Sequence, residues 1–325
     1  MSEKKTILIA SYTSWYHTLG ISSYLAANHV TPDFSILIAN EFFDKKRGLD
    51  DTSLRDRLGD FTLVKSYREV EQEVLRLPEN IDIYVLSTSA FPYKLTAAVR
   101  KRSIPYKLVV IEEGIGSYSS VYSLFEAKLR ESRLPLLKKI LFSFSLFLKA
   151  IVKFFVFFKK ERCYWYNFNK SNLSINKEVV KAYKSELKSL SLSEKKSQSL
   201  ENKLENCALL ISSPFCELNL VCEKDFVKGV RDGMPKNKRL YVKPHPIEKV
   251  SKYNGAGFDT FSTDLPFEIL MCDVDCSVSL FSFSSTCCYT SFLFFGKKIH
   301  RIKDVDAFYD KLSRRQKKII DFVSI

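Results

Sequence analysis

Three short groups of residues in this 325-residue sequence carry side chains suited to moving a proton or gripping a phosphate. The first is Glu112-Glu113-Gly114, followed by Ile115-Gly116-Ser117-Tyr118. Two adjacent carboxylates are costly to pair together, and one that is partly buried can have its pKa raised into the range of a general base. Gly114 and Gly116 permit the tight turning that would aim a carboxylate into a cleft, although a solvated acidic corner has the same sequence. The second group is Lys243-Pro244-His245-Pro246. Its two prolines restrict the backbone on both sides of one imidazole, a framing that His17, His29 and His300 lack. A histidine held in this way can give a hydrogen bond or a proton to a departing phosphate, or can simply occupy a rigid turn. The third group, Ser282-Phe283-Ser284-Ser285-Thr286, supplies hydroxyls ahead of an apolar run. At a helix start such hydroxyls cap backbone N–H groups, and those N–H groups together with the helix dipole also hold phosphates.

Each group follows a predicted strand. In the first half, Thr6–Ala10, Ser35–Ala39, Ile83–Ser87 and Lys107–Ile111 are short apolar runs of the kind buried on both faces of a parallel sheet. Helices are expected between them at Trp15–His29 and Ser66–Leu77, which gives a β-α-β-α rhythm. The rhythm resumes with strands at Ala208–Ser212, Arg239–Lys243 and Cys276–Leu280 and helices at Glu223–Asp232, Pro266–Met271 and Thr286–Phe295, the Pro266 helix capped by Thr263 or Asp264. A polar stretch over Leu187–Glu205 marks the join. The expected organisation is therefore α/β with two domains, 1–195 and 196–325, and a last helix near Val305–Val323 long enough to cross back over the first. Open α/β sheets place ligands at the C-terminal ends of their strands, so an acid from the first domain would face a histidine and hydroxyls from the second across a cleft.

The chain is 46% hydrophobic and 27% charged, enough apolar content for two cores. A formal net charge of +14 favours an anionic partner. The eight cysteines form no CxxC pair and fit neither a zinc site nor a disulfide framework, so they are expected to be reduced. The apolar run at Thr6–Ala10 is too short for a secretory signal, and a cytoplasmic protein is expected. Residues 133–160 stand apart, with seven basic residues, no acid and many Phe and Leu. On a helix, Lys149, Lys153 and Lys160 share one face and leave Phe144, Phe147, Phe154, Phe155 and Phe158 to the others. No stretch here reaches the roughly 20 uncharged residues of a membrane span. An interfacial helix lying on anionic lipid fits this pattern, as does a helical hairpin whose Phe side chains fill a core or a dimer seam.

In order and type, the three groups resemble the D/E-D/E-G, HP and S-S/T motifs of bacterial sialyltransferases, including the polysialyltransferases, over roughly residues 80–295. The resemblance implies a GT-B fold, two Rossmann-like domains facing each other across a cleft. It also implies inverting, metal-independent transfer of sialic acid from CMP-sialic acid to a sugar hydroxyl. On that likeness Glu113, or else Glu112, is the general base. His245 protonates or stabilises the leaving phosphate, Ser284, Ser285 and Thr286 bind it, and Lys243, Pro246 and Gly114 complete the donor site. Acceptor contacts fall by location alone on Ser11, Thr13, Ser14 and Trp15. Hydrogen-bond donors can neutralise a CMP phosphate without a divalent cation. Asp273-Val274-Asp275 has the spacing of a metal-binding pair but lies at a predicted strand start and is taken as structural. No cofactor is expected. The partners implied are the nucleotide-sugar donor, a lipid-linked glycan acceptor in surface-polysaccharide assembly, the inner face of the cytoplasmic membrane through 133–160, and a second copy as a possible homodimer. The chain is shorter than the polysialyltransferases carrying these motifs, which favours single addition over polymerisation. A CMP-Kdo or other nucleotide-sugar transferase and a non-catalytic membrane-associated protein are the rival readings. Nucleic acid ranks below them, because the basic residues cluster with Phe-rich sequence.

Overall fold

The computed structural model describes residues 4–12, 15–39, 51–87, 93–112, 114, 118, 144, 147–148, 161–169, 172–193, 206–245, 247–254, 256–260, 266–272 and 277–325. The chain divides into two compact units, Met1–Glu186 and Leu187–Ile325.

In the first unit, β1 (Lys5–Tyr12), β2 (Phe34–Ala39), β3 (Asp60–Val64), β4 (Ile81–Ser87), β5 (Tyr106–Ile111) and β6 (Glu161–Cys163) form a sheet in the order β3-β2-β1-β4-β5-β6. Every pairing in it is parallel. This is the strand order of a Rossmann sheet, whose crevice opens where the order reverses, between β1 and β4. The connecting helices are α1 (Trp15–Ala27), α2 (Asp51–Leu58), α3 (Tyr67–Arg76) and α4 (Tyr93–Lys101). Alternation along the strands divides the apolar residues between two faces. Ile7 and Ile9 join a core with Ile36, Ile38, Val70, Val74, Leu95 and Val99, while Leu8 and Ala10 are equally buried on the opposite face. Two-sided burial explains the uninterrupted apolar runs in the sequence, each large side chain contributing about 1.5–3 kcal/mol. Ser66 caps α3 by accepting from the Glu69 N–H at 3.3 Å, and its hydroxyl donates to Glu69 Oε1 at 2.7 Å. An antiparallel hairpin, β7 (Tyr166–Asn169) and β8 (Asn172–Ile175), leads into α5 (Lys177–Ser193).

The second unit repeats the plan. β9 (Cys207–Ile211), β10 (Arg239–Lys243), β11 (Asp259–Thr260), β12 (Ser279–Ser282) and β13 (His300–Arg301) form a parallel sheet in the order β11-β10-β9-β12-β13. Its order reverses between β9 and β12. The helices are α6 (Glu223–Gly233), α7 (Phe267–Cys272), α8 (Thr286–Phe295) and α9 (Arg314–Val323). An aromatic-rich core of Phe215, Phe226, Tyr253, Phe281 and Phe283 fills one side of the sheet. The described cysteines are free, as a reduced chain requires.

Two elements differ from expectation. β12 begins at Ser279 rather than Cys276, because its register with β9 runs from Ser279 opposite Ala208 to Ser282 opposite Ile211. The final helix begins at Arg314 rather than near Val305. A capping box at Ser313 and Gln316 sets its start, while the chain before it turns around the buried Asp306. Its Ile319, Ile320 and Val323 are buried, and it packs against α8. The last residues extend the sheet edge, with the Ile325 N–H donating to Ile299 O at 3.0 Å and the Arg301 N–H to Ile325 O at 3.1 Å. Thr263, Asp264, Asp273 and Asp275 lie outside the described residues.

The packing makes two stability effects measurable. A Cβ at Gly229 in α6 would stand 2.3 Å from Val305 Cγ1, so Gly229→Ala should lower unfolding stability by about 1–3 kcal/mol in a urea titration. Burial of His17, in the first turn of α1, lowers its pKa from 6.5 to about 4. The unfolded chain then binds that proton at a higher pH than the folded chain, so stability falls as pH drops from 6.5 toward 4, by ~1–3 kcal/mol. His17→Gln should make the slope of melting temperature against pH shallower within that window.

Candidate functional site

The first unit places Glu112 immediately after β5, fully buried. Its Oε2 accepts from the Tyr118 hydroxyl at 2.6 Å and from the Trp165 N–H at 3.2 Å. The Tyr118 oxygen in turn accepts from the Tyr166 N–H at 2.9 Å. Trp165 stands edge-on to Tyr183, with centroids 5.1 Å apart. Glu112 therefore ties the loop after β5 to the segment entering β7, in a buried aromatic setting. Burial, with help from the Glu161 and Glu112 charges, pushes the neighbouring Cys163 thiol up to about 12. Gly114 turns the chain at φ 105°, a conformation that disfavours any residue with a Cβ. Glu113 lies outside the described residues, as do Gly116, Ser117, Thr13 and Ser14. Ser11 lies near the C-terminal end of β1 and Trp15 opens α1, so the two bracket the chain leaving β1 at the point where the strand order reverses.

The second unit gathers its candidates at one sheet edge. Lys243 ends β10 and is half-buried, and the next turn leaves His245 exposed; Pro246 lies outside the described residues. The turn is tied to a carboxylate that no sequence pattern singles out, Glu248. Glu248 Oε2 accepts from the His245 backbone N–H, and the Glu248 N–H donates to His245 O at 2.9 Å. The Ile247 N–H points at His245 Nδ1 across 3.4 Å, a long contact in which Nδ1 is the acceptor. Glu248 Oε1 accepts from Ser212 Oγ at 2.9 Å, from the Tyr253 hydroxyl at 3.0 Å and from Lys252 Nζ. Lys252 also reaches Glu217 Oε2 at 3.2 Å and lies 4.7 Å from the centre of the Phe226 ring. The Lys252 and Glu248 side chains are 1% and 0% exposed, so this is a charge cluster withdrawn from water. Removing one partner from such a cluster costs about 3–5 kcal/mol. Burial drives the Glu217 pKa up, but hydrogen bonds from the Lys249 N–H and from Lys252 outweigh it, leaving the value below normal.

At the end of β12 the hydroxyls divide. Ser284, expected on a phosphate, is instead buried and directs both its N–H and its Oγ to Asp306 Oδ2. Burial raises the Asp306 pKa in spite of those bonds. Ser285 and Thr286, at the start of the ten-residue α8, are half-buried. Ser285 is the N-cap by position, yet its side chain makes no capping bond and lies 2.7 Å from Cys287 Sγ. Between the two motifs β9 ends at Ile211, and the next residue, Ser212, donates its N–H to Lys243 O at 3.1 Å. Adjacent strands lie about 4.8 Å apart, so β10 and β12 deliver Lys243, His245, Ser285 and Thr286 to one edge roughly 10 Å wide. Glu268 in α7 is a further buried acid near Lys243. Burial raises its pKa, Thr290 Oγ1 donates to it at 2.9 Å, and the Lys243 charge pulls the other way.

A half-exposed helix start and an exposed, anchored histidine at the reversal point of a parallel sheet form an edge of the kind that can hold a phosphate. The family model described as alpha-2,8-polysialyltransferase (POLYST) matches residues 9–299. The chain belongs to the alpha-2,8-polysialyltransferase family. The match covers all three motifs and both units, so this polysialyltransferase-family protein is a sialyltransferase-type glycosyltransferase. Among curated proteins no sequence matches it. Among solved structures it is similar to the UDP-GlcNAc 2-epimerase from Methanocaldococcus jannaschii. The TM-score is 0.52, with 13% identity over 99% of this chain and 92% of that one. The S. aureus MnaA–UDP co-structure aligns with a TM-score of 0.51 and 10% identity, over 98% of this chain and 87% of that one. At such identities the likeness is one of fold, the GT-B arrangement of two Rossmann-like domains.

The structural duty of Glu112 is testable. Tyr118→Phe removes one donor to a buried carboxylate and the acceptor for the Tyr166 N–H, so stability should fall by about 1–3 kcal/mol in chemical denaturation.

Proposed function

We propose that this family member moves sialic acid from CMP-sialic acid to a hydroxyl of a glycan acceptor, with inversion and without a metal ion. The observation that carries the reading is the second unit's sheet edge, where His245, Lys243, Ser285 and Thr286 meet the start of α8. A carboxylate, for which Glu113 is the candidate, takes the acceptor hydroxyl's proton. The acceptor oxygen attacks the anomeric carbon as the bond to the CMP phosphate breaks. The leaving phosphate's charge is met by the His245 Nε2–H, the Ser285 and Thr286 hydroxyls and the α8 N–H groups. The bonds of Glu112 to Tyr118 and Trp165 support Glu113 as the candidate base. A relative in fold, the M. jannaschii epimerase, has been solved with UDP-GlcNAc and UDP, which supports a nucleotide-sugar donor.

The net charge of +14 suits an anionic donor. Among the described residues no helix is long and apolar enough to cross a membrane. Within 133–160, Phe144, Phe147 and Leu148 are helical and 62%, 57% and 47% exposed, in keeping with a segment that rests on the inner membrane surface near a lipid-linked acceptor.

Calorimetry should find CMP binding far tighter than UDP or GDP; equal affinity for the three would overturn the donor. Glu113→Gln and His245→Ala should each lower kcat by about 10²–10⁴-fold with melting temperature nearly unchanged. Transfer preserved in both variants would remove the catalytic roles of Glu113 and His245. A product formed only from CMP-Kdo would keep the mechanism and change the sugar.

A further inference from the structure

We infer that Glu248 is the positioning residue for His245: it fixes the turn so that the ring presents its Nε2–H to the ligand edge, and Lys252 fixes Glu248. The geometry stands by itself, while its consequence for transfer rests on the function proposed above. Glu248 exposes no side-chain surface to a ligand. Its side chain is fully buried, and it holds the His245 turn at two points, through Oε2 to the His245 N–H and through its own N–H to His245 O at 2.9 Å. The Ile247 N–H, between them in sequence, lies 3.4 Å from His245 Nδ1. A shift of the turn would therefore disturb the contact at Nδ1 that favours a proton on Nε2.

The donor set makes the carboxylate hard to replace. Oε2 faces a backbone N–H and Oε1 faces a lysine ammonium, and neither donor can become an acceptor. A carboxylate accepts at both ends, whereas an amide accepts at one end only. Glutamine at this position must turn its NH₂ against either the His245 N–H or Lys252. The other groups on Oε1, Ser212 Oγ at 2.9 Å and the Tyr253 hydroxyl at 3.0 Å, are hydroxyls that can rotate and accept. Once Lys252 is gone, glutamine can give its oxygen to His245 and its NH₂ to Ser212 or Tyr253. Glu217 keeps the Lys249 N–H at 2.9 Å in that variant.

The test uses the full chain labelled with 15N-histidine. Only four histidines contribute signals, and His245→Ala identifies the one concerned. In the wild type His245 should show the Nε2–H tautomer. In Glu248→Gln the tautomers should mix and kcat with CMP-sialic acid should fall about 10–100-fold, as expected for a misplaced catalytic group, with KM changing less. Glu248→Gln combined with Lys252→Met should regain the wild-type tautomer and most of the kcat. A folded Glu248→Gln variant with an unchanged tautomer, or a double variant no better than the single one, would overturn the inference. If Glu248→Gln does not fold, the double variant decides: a wild-type tautomer supports the inference and a mixed one overturns it. If the wild type neither binds CMP nor transfers sialic acid, the proposed function fails while the tautomer measurements still decide the role of Glu248.

Discussion

Carboxylates withdrawn from water at the ends of parallel strands govern how this chain presents its loops. A segment leaving the C-terminal edge of a sheet has lost its ladder partners, and its backbone groups must find others. Glu112 after β5 takes the Trp165 N–H and the Tyr118 hydroxyl, Glu248 after β10 takes the His245 N–H, and Asp306 takes the N–H and hydroxyl of Ser284 after β12. Each acid would be costly to bury alone and is tolerated because donors reach it, at least one of them from chain more than 20 residues away. Glu248 lies three residues from the exposed His245, and Asp306 holds Ser284, the neighbour of the half-buried Ser285. The buried acids hold the loops on which the candidate groups lie.

The sequence was legible where local pattern decides structure. β1, β2, β4, β5, β9 and β10 are apolar on both faces and stand out for that reason. β3 was missed because Asp60-Phe-Thr-Leu-Val is largely half-exposed at a sheet edge, and β6 because three residues, Glu-Arg-Cys, carry no apolar run. The same division holds at the candidate site. The prolines around His245 announced a constrained turn. The acid that constrains it was not legible, because its other partner, Ser212, lies 36 residues away. Ser284 looked equivalent to Ser285 in the sequence; its inward turn follows from Asp306, 22 residues later, which no local pattern connects to it. Likewise, the residues alone do not tell the two adjacent acids apart, and only the resemblance favours Glu113, whereas the Tyr118 and Trp165 contacts commit Glu112 to the core.

A fold shared with UDP-GlcNAc 2-epimerases at 13% identity fixes the architecture alone, and the chemistry has to come from the groups this chain places on it. In the second unit those groups rest on three consecutive strands of the sheet, β10, β9 and β12, with β9 between the histidine and the helix start. Ser212 at the end of β9 is the joint between them. Its N–H bonds to Lys243 O on one side, its hydroxyl bonds to Glu248 beneath the His245 turn, and the preceding Ile211 O accepts from Ser282 Oγ on the other side. A displacement of the middle strand's end would therefore be carried to both flanking motifs. The His245 turn and the start of α8 are thus both tied to the end of β9, the coupling that a ligand held from two strands would need.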